Sequence, residues 1–361
     1  MIDRNKLQNR AANNYKDKGI FWCSPRMGKI RTTFLLCEKQ GFKKIRVFAP
    51  RIDIFQGWKD DAIKFDFKGE LLFYTTTIAS KMVYQDVDLI VLDEIQEYSF
   101  EQLKGIKKLI GKNKSIALTG TMTNKTLSDI QTILGMNVCF KYTIEEAVED
   151  GVLSDYKLYI HEVELDDVSK YIVTKKGSIT EKKRMQQLTW LKDKLSKEGK
   201  PTFFLDLKII NLLQNSLAKR NKTISLLNEY KGERILVFCG TTETADKLGI
   251  PVYHSKSKEK ELFNAFCNGE GETLATIKMM QAGITIKPIN KGIANYISGS
   301  PEESTQKLCR FLGYEFLNPD KIAEIHIICS NTDFEKARLK TALTWFDENK
   351  IFRIKNDKII L

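Results

Sequence analysis

Short aliphatic runs alternate with longer amphipathic or polar stretches along the whole chain. Segments such as Leu89–Leu92 and Ile235–Cys239 are continuously apolar, the pattern of strands buried on both faces of a parallel sheet. The runs predict strands at Gly19–Trp22, Ile45–Phe48, Leu71–Tyr74, Asp88–Leu92 and Ser115–Leu118. A second series is predicted at Tyr156–Val163, Arg234–Phe238, Pro251–Tyr253, Thr273–Ala275, Gly292–Ile297 and Ile325–Ile328. Strand–helix alternation over this length predicts α/β architecture. Tyr142–Tyr156 and then a basic stretch, 165–230, separate the two series. Within that stretch Met185, Leu188, Leu191 and Leu195 recur at helical spacing, Pro201 interrupts, and a second helical run follows from Leu207 to Tyr230.

The 361 residues are too many for one ordinary domain, and 42% apolar content is enough for more than one core. No apolar run approaches the roughly 20 residues of a membrane span. Met1–Arg10 is polar and carries no signal-peptide pattern. These features predict a soluble protein of the cytoplasm, a reducing compartment, with no membrane partner; they leave the oligomeric state open. The seven cysteines are odd in number and scattered, and read as small buried apolar residues rather than disulfides or zinc ligands. His161, His254 and His326 stand far apart in the sequence, which argues against a histidine metal site.

Charge narrows the picture. The net charge is +12, of which residues 1–150 carry +5 and residues 170–222 carry +10, with 14 basic against 4 acidic side chains in the latter. Such a concentration favours a polyanionic partner, with a solvated lysine-rich helix face as the bland alternative.

Unusual residues cluster just after the predicted strands, where ligands bind in open α/β sheets. The loops there read CSPRMGKIRT, APR, TTT, DEIQ and TGT in the first series, and CGTTET and TIKMMQAG in the second. The first joins a strand to a helix and carries Gly28-Lys29. Backbone amides at a helix start cradle phosphate, glycine permits close approach, and a lysine reaches the β/γ-phosphates. Sixty-four residues after Lys29, LIVL runs into Asp93-Glu94. There the first carboxylate would hold Mg²⁺ and the second would orient or deprotonate an attacking water. Either motif alone has an ordinary structural explanation; their order on separate strand ends points to a nucleotide site.

Together these segments resemble the superfamily 2 helicases and translocases, particularly small phage members and the restriction-enzyme and chromatin-remodeller motors. CSPRMGKIRT resembles motif I, VFAPRI motif Ia, LLFYTTT motif Ib, VLDEIQ motif II and ALTGTMTN motif III. ILVFCGTTE resembles motif IV, LATIKMMQAGITI motif V and STQKLCRFLG motif VI, and YTIEEAVEDGVLSDY resembles the segment joining the two motor domains. The resemblance implies two tandem RecA-like α/β domains, 1–147 and 148–361, each a mostly parallel sheet flanked by helices, with the basic helical segment 165–230 between the motif series. It implies ATP and Mg²⁺ as cofactors, bound around Gln8, Arg26, Met27, Gly28, Lys29, Ile30 and Arg31. Gln8 would read adenine, Lys29 would bind phosphate, Asp93 would hold the metal and Glu94 would be the catalytic base. Arg310 would be the arginine finger, with Gln306 beside it, and Thr119, Gly120 and Thr121 would couple nucleotide state to nucleic acid.

The nucleic-acid track implied by the family runs over Pro50, Arg51, Thr75, Thr76, Thr77, Gly240, Thr241, Thr242 and Thr276. Hydroxyls and amides there suit phosphate oxygens and carry no sequence information, so binding is expected to be largely sequence-independent. Lys182, Lys183 and Arg184 extend the track on charge alone.

Two positions depart from the pattern. The family has Ser or Thr directly after the motif I lysine as a Mg²⁺ ligand; this chain has Ile30. Thr33 lies about 4.5 Å further along the helix and is a poor substitute. Motif VI ordinarily has a second arginine where Gly313 stands, and Cys309 replaces its usual glycine. The expected activity is ATP-dependent unwinding of, or translocation along, nucleic acid, DNA rather than RNA. A degenerate motor that clamps nucleic acid, and a P-loop ATPase that acts on proteins, are the alternatives.

Overall fold

The computed structural model describes residues 3–174, 177–254, 260–277, 286, 287, 289, 291–313, 318, 320–355 and 358–360. The chain divides into two compact units, the first holding Met1–Ser154 and Pro301–Cys309, the second Asp155–Met280, Ile286–Ser300 and Arg310–Leu361, each as far as described. The expected boundary at 147/148 falls inside a helix, Ile144–Glu149.

The first unit runs α1 (Arg4–Asn13), β1 (Lys18–Cys23), α2 (Lys29–Gln40), β2 (Lys44–Ala49), α3 (Ile54–Lys64), β3 (Glu70–Thr75) and β4 (Leu89–Leu92). It continues with α4 (Phe100–Ile110), β5 (Lys114–Thr119), α5 (Asn124–Leu134), β6 (Val138–Tyr142) and α6 (Ile144–Glu149). Its sheet has the order β3-β2-β4-β5-β1-β6, parallel throughout. Every residue of β4 is buried, as its unbroken apolar run requires. One core layer packs Phe48, Ile90, Leu92 and Ala117 of the sheet against Leu103 and Ile106 of α4 and Ile130 of α5. Local signals set the helix ends. Ser99 and Gln102 cap α4 reciprocally, as Thr143 and Glu146 cap α6, while Gly41 and Gly135 close α2 and α5 in the left-handed conformation. Because all six strands run the same way, the loops after β1 to β5 share one sheet edge.

The second unit opens with β7 (Asp155–Val163), the hairpin β8 (Ile172–Thr174) and β9 (Gly177–Ile179), then α7 (Glu181–Lys197), α8 (Phe203–Gln214) and α9 (Leu217–Glu229). It goes on through β10 (Ile235–Phe238), α10 (Thr242–Asp246), β11 (Val252–Tyr253), α11 (Lys260–Cys267), β12 (Thr273–Thr276) and β13 (Lys291–Ala294). Next in the chain is α12 (Pro301–Leu308), which clusters with the first unit, then β14 (Ile322–Ser330), α13 (Asp333–Ala342), β15 (Ile351–Lys355) and β16 (Lys358–Ile360). The sheet order is β11-β12-β10-β13-β14-β7-β15-β16, parallel except for the β15–β16 hairpin. The basic segment forms a helical hairpin: Met185 and Leu188 of α7 pack on Leu205, Ile209, Leu212 and Leu213 of α8, and Lys192 pairs with Asp206 at 2.7 Å. Helix α9 instead lays Leu226 against the sheet core.

All eleven predicted strands are present, the one at 292–297 ending at Ala294. Strands β6, β8, β9, β15 and β16 were not predicted; they are short and carry charged or small polar residues. Six of the seven cysteines are buried. His161 and His326 are partners: His161 Nε2 and His326 Nδ1 lie 2.9 Å apart inside the second sheet, stacked among Tyr159 and Tyr230. Among the described residues no helix is long and apolar enough to cross a membrane.

Candidate nucleotide site

The loop between β1 and α2 turns through two left-handed residues, Arg26 (φ 68°) and Gly28 (φ 89°). Gly28 is favoured there by its backbone, and the space beside it is filled by the end of the Gln8 side chain. Its φ disfavours a side chain, and a Cβ would stand 2.4 Å from Gln8 Nε2. That Gln8 amide, buried beneath the loop, donates to the Met27 carbonyl at 2.9 Å and so ties α1 to the phosphate loop. The sequence assigned Gln8 to adenine; the structure engages its N–H with the loop backbone. The first amides of α2, which have no partners within the helix, border the same loop.

Lys29 opens α2, and its ammonium lies beside Gly120, where a Cβ would be 3.6 Å from Nζ. Ile30 is half-buried and offers no hydroxyl. Thr32 and Thr33 are buried with their hydroxyls donated back to the Gly28 and Lys29 carbonyls at 3.0 Å, so neither is presented to the loop. Arg31 bridges Glu38 at 3.1 Å and stacks over Phe65, which holds its guanidinium along α2.

Asp93 follows β4 and is buried. Its Oδ2 accepts the indole N–H of fully buried Trp58 at 2.7 Å, and its Oδ1 accepts the Glu94 amide at 2.9 Å. Burial, and secondarily the neighbouring Glu94 charge, push its carboxyl up to about 6, while Trp58 and Lys29 pull the other way. A carboxylate at a strand end, buried and facing a lysine, is a donor set suited to a Mg²⁺–phosphate complex, with water making good the hydroxyl that Ile30 lacks.

Glu94 holds a strained left-handed backbone, φ 49°. Its Oε2 accepts from Gln96 Nε2 at 2.5 Å and is approached by Gln306 Nε2 of α12 at 3.5 Å. The Thr119 hydroxyl lies 2.7 Å from Gln96 Oε1 and 2.6 Å from the Thr121 carbonyl, two acceptors that share its one proton. Polar contacts therefore run from Thr119 through Gln96 to Glu94, with Gln306 at 3.5 Å from the carboxylate. An amide at position 96 makes this possible, since it accepts on one end and donates on the other. Thr119 and Thr121 are buried, with the Thr121 amide donating to Thr119 Oγ1 at 3.2 Å. Arg310 belongs to the second unit, where its charge acts on the Cys267 thiol.

The track residues divide. Arg51, after β2, is partly exposed and paired with Asp53 at 3.4 Å and Glu97 at 3.3 Å; Pro50 precedes it in the same loop. Thr75 and Thr77 share a 2.9 Å hydrogen bond at the surface, whereas Thr76 between them is buried. In the second unit Gly240 packs on Gln214, Thr241 caps α10 and lies 2.6 Å from Asn215 Oδ1, Thr242 is exposed and Thr276 is buried. Thr76 and Thr276 therefore do not offer hydroxyls at the surface. Lys183 is exposed, while Lys182 and Arg184 are half-buried in the first turn of α7. Most of the tract resembling motif V, residues 278–285, lies outside the described residues.

Sequence reasoning missed Trp58 and Gln96. Trp58 has no positional signal, since α3 carries no motif; Gln96 stood in plain view within DEIQ.

No family model and no curated protein sequence matches this chain. Solved structures do. The chain superimposes on S. cerevisiae Dbp5 bound to RNA and ADP BeF3 with a TM-score of 0.60 at 13% identity, covering 98% of this chain and 90% of that one. The Pyrococcus furiosus Hef helicase domain gives 0.51 at 13% identity, covering 94% and 97%. The restriction-modification enzyme LlaBIII bound to DNA gives 0.62 at 14% identity, with 97% of this chain spanning 30% of that one. The chain thus shares its fold, two RecA-like α/β units in tandem, with these solved structures.

Proposed function

We propose that the chain is an ATP-dependent helicase or translocase acting on DNA in the cytoplasm, with domains 1–147 and 148–361 closing on the nucleotide. The observation that carries this reading is Asp93, buried beside the Lys29 ammonium at the head of α2, with Glu94 next to it held by Gln96 and Gln306. Lys29 binds the β/γ-phosphates and Asp93 holds Mg²⁺, whose charge offsets that of the phosphates when it is bound. Glu94 accepts a proton from the attacking water, and its tether to Gln96 aims the carboxylate. Gln8 steadies the loop and reads adenine. Thr119 carries changes at Glu94 towards the strand-end loops, and Arg310 reaches the phosphates on closure. Arg51, Thr75, Thr77, Thr241 and Thr242 take backbone phosphates.

Phosphate release measured alone and with single-stranded DNA, duplex DNA and RNA tests the reading. Stimulation by DNA above RNA is expected; the absence of stimulation by any nucleic acid would overturn it.

A second reading has a specific observation in its favour. Ile30 has no hydroxyl and Thr33 is turned into its helix, which leaves the metal one side-chain ligand short. On that reading the chain is a nucleic-acid clamp with little or no hydrolysis. ATP-dependent retention on DNA without phosphate release would select it.

A further inference from the structure

The α7–α8 hairpin buries one face of each helix in its own core, yet its outward faces are not the polar surface such a hairpin needs. Trp190 is 65% exposed, Phe203 71%, Phe204 46% and Leu207 49%. Three of the five large aromatic residues exposed among the described residues fall within positions 190–204. Each helix also sets a lysine against a ring: Lys194 Nζ lies 5.5 Å from the Trp190 ring and Lys208 Nζ 5.6 Å from that of Phe204. Exposed apolar side chains clustered in this way mark an interaction surface.

The charge around the rings says what the surface accepts. Lys182, Lys183 and Arg184 occupy the first turn of α7, where the helix dipole disfavours cations. The hairpin's acidic residues are largely spent. Glu181 is buried, Asp206 pairs with Lys192 and Glu198 with Lys200. An acidic protein would satisfy the lysines but has no special use for planar rings. A duplex presents phosphates but keeps its base faces stacked inside. A single strand offers both phosphates and open base faces, and rings interleaved with cations are the surface that binds it without reading sequence.

We propose that the α7–α8 hairpin is a second contact for single-stranded DNA, with bases stacking on Trp190, Phe203 and Phe204 and phosphates held by Lys194, Lys208 and the start of α7. The proposal rests on the reading above that the chain works on DNA, and adds residues that do not belong to the strand-end loops. All three rings are exposed, so their removal leaves the packed face of the hairpin intact.

The test is binding of the full chain, without nucleotide, to a labelled oligothymidylate, a duplex and an oligouridylate, followed by anisotropy. Trp190→Ala, and Phe203→Ala with Phe204→Ala, are expected to weaken single-strand binding about fivefold or more per ring. The slope of log affinity against log salt should stay the same, and duplex binding should change little. Lys194→Ala with Lys208→Ala is expected to make that slope shallower by about 0.7 per lost phosphate contact. Trp190 emission should be quenched by the oligothymidylate, a signal that Trp190→Ala removes. Unchanged affinity in the ring variants, equal losses on single strand and duplex, or ring-dependent binding of RNA alone would overturn the proposal. So would sedimentation that finds a dimer dissolved by the same substitutions, since the rings would then face a second copy. Arg51→Ala separates this failure from that of the motor reading. If Arg51→Ala weakens binding while ring variants do not, only the hairpin site falls; if the native chain binds no nucleic acid, the motor reading falls with it.

Discussion

Trp58 donates its indole N–H to Asp93 at 2.7 Å, from α3, a helix that carries none of the motifs. The bond fixes one carboxylate oxygen and partly offsets the cost of keeping that group buried. Trp58→Phe keeps the ring and removes the donor. It is expected to cost about 1–3 kcal/mol in urea unfolding, the range for leaving a buried polar group without its partner. Calorimetry should show weaker ATP binding with Mg²⁺, and no change with ATP in EDTA. An equal loss with and without Mg²⁺ would make Trp58 a packing residue only.

Lys29→Ala and Glu94→Gln separate binding from chemistry. The first should remove ATP binding; the second should keep it and lower turnover by at least about 100-fold, the usual scale for losing a general base. Full turnover in either variant would remove the assigned site.

Ile30→Thr restores a hydroxyl beside Lys29. It is expected to lower the Mg²⁺ concentration at half-maximal turnover. A neutral or harmful result in a magnesium titration would mean that the site has adapted around the isoleucine.

His326 supplies a pH dependence unrelated to the nucleotide. Burial, then the facing His161 and the Lys291 and Lys222 charges, push it down to about 3 from its ordinary 6.5. Below pH 6.5 the unfolded chain takes up a proton that the folded chain refuses. The stability present above 6.5 is therefore lost as pH falls towards 3, with the unfolding constant rising up to about tenfold per pH unit. Urea midpoints between pH 7 and 4 should fall accordingly, and His326→Asn should flatten the curve. A parallel curve for the variant would assign the acid sensitivity elsewhere.

The sheets were legible because β4 and β10 are unbroken apolar runs and because β3, β4, β5 and β12 stop at a threonine or a carboxylate. Loops that follow β1 and β4 put Lys29, Asp93 and Glu94 on one sheet edge, as their place after apolar runs implies. Facing was not legible. Nothing in TTT says that Thr76 turns inward while Thr75 and Thr77 turn out, and nothing after Lys29 says that Arg31 lies along its helix towards Glu38. Partnerships across long separations were equally hidden. Trp58 meets Asp93, and His161 meets His326 across 165 residues, only because parallel strands and their helices fold back on one another. Strands β15 and β16, the last two of their sheet, escaped for a different reason, since charges in such short strands dilute the apolar signal.

Gln8 occupies the space that a side chain at position 28 would need, and the two residues are twenty positions apart. The β1–α2 loop is thus tied to α1 through the Gln8–Met27 bond as well as framed by β1 and α2. A fragment designed to begin at β1, with every motif intact, would lose that bond and leave empty the space that Gln8 fills. Anyone trimming this protein for crystals, fusions or binding assays should therefore keep the polar first helix, however dispensable its sequence looks.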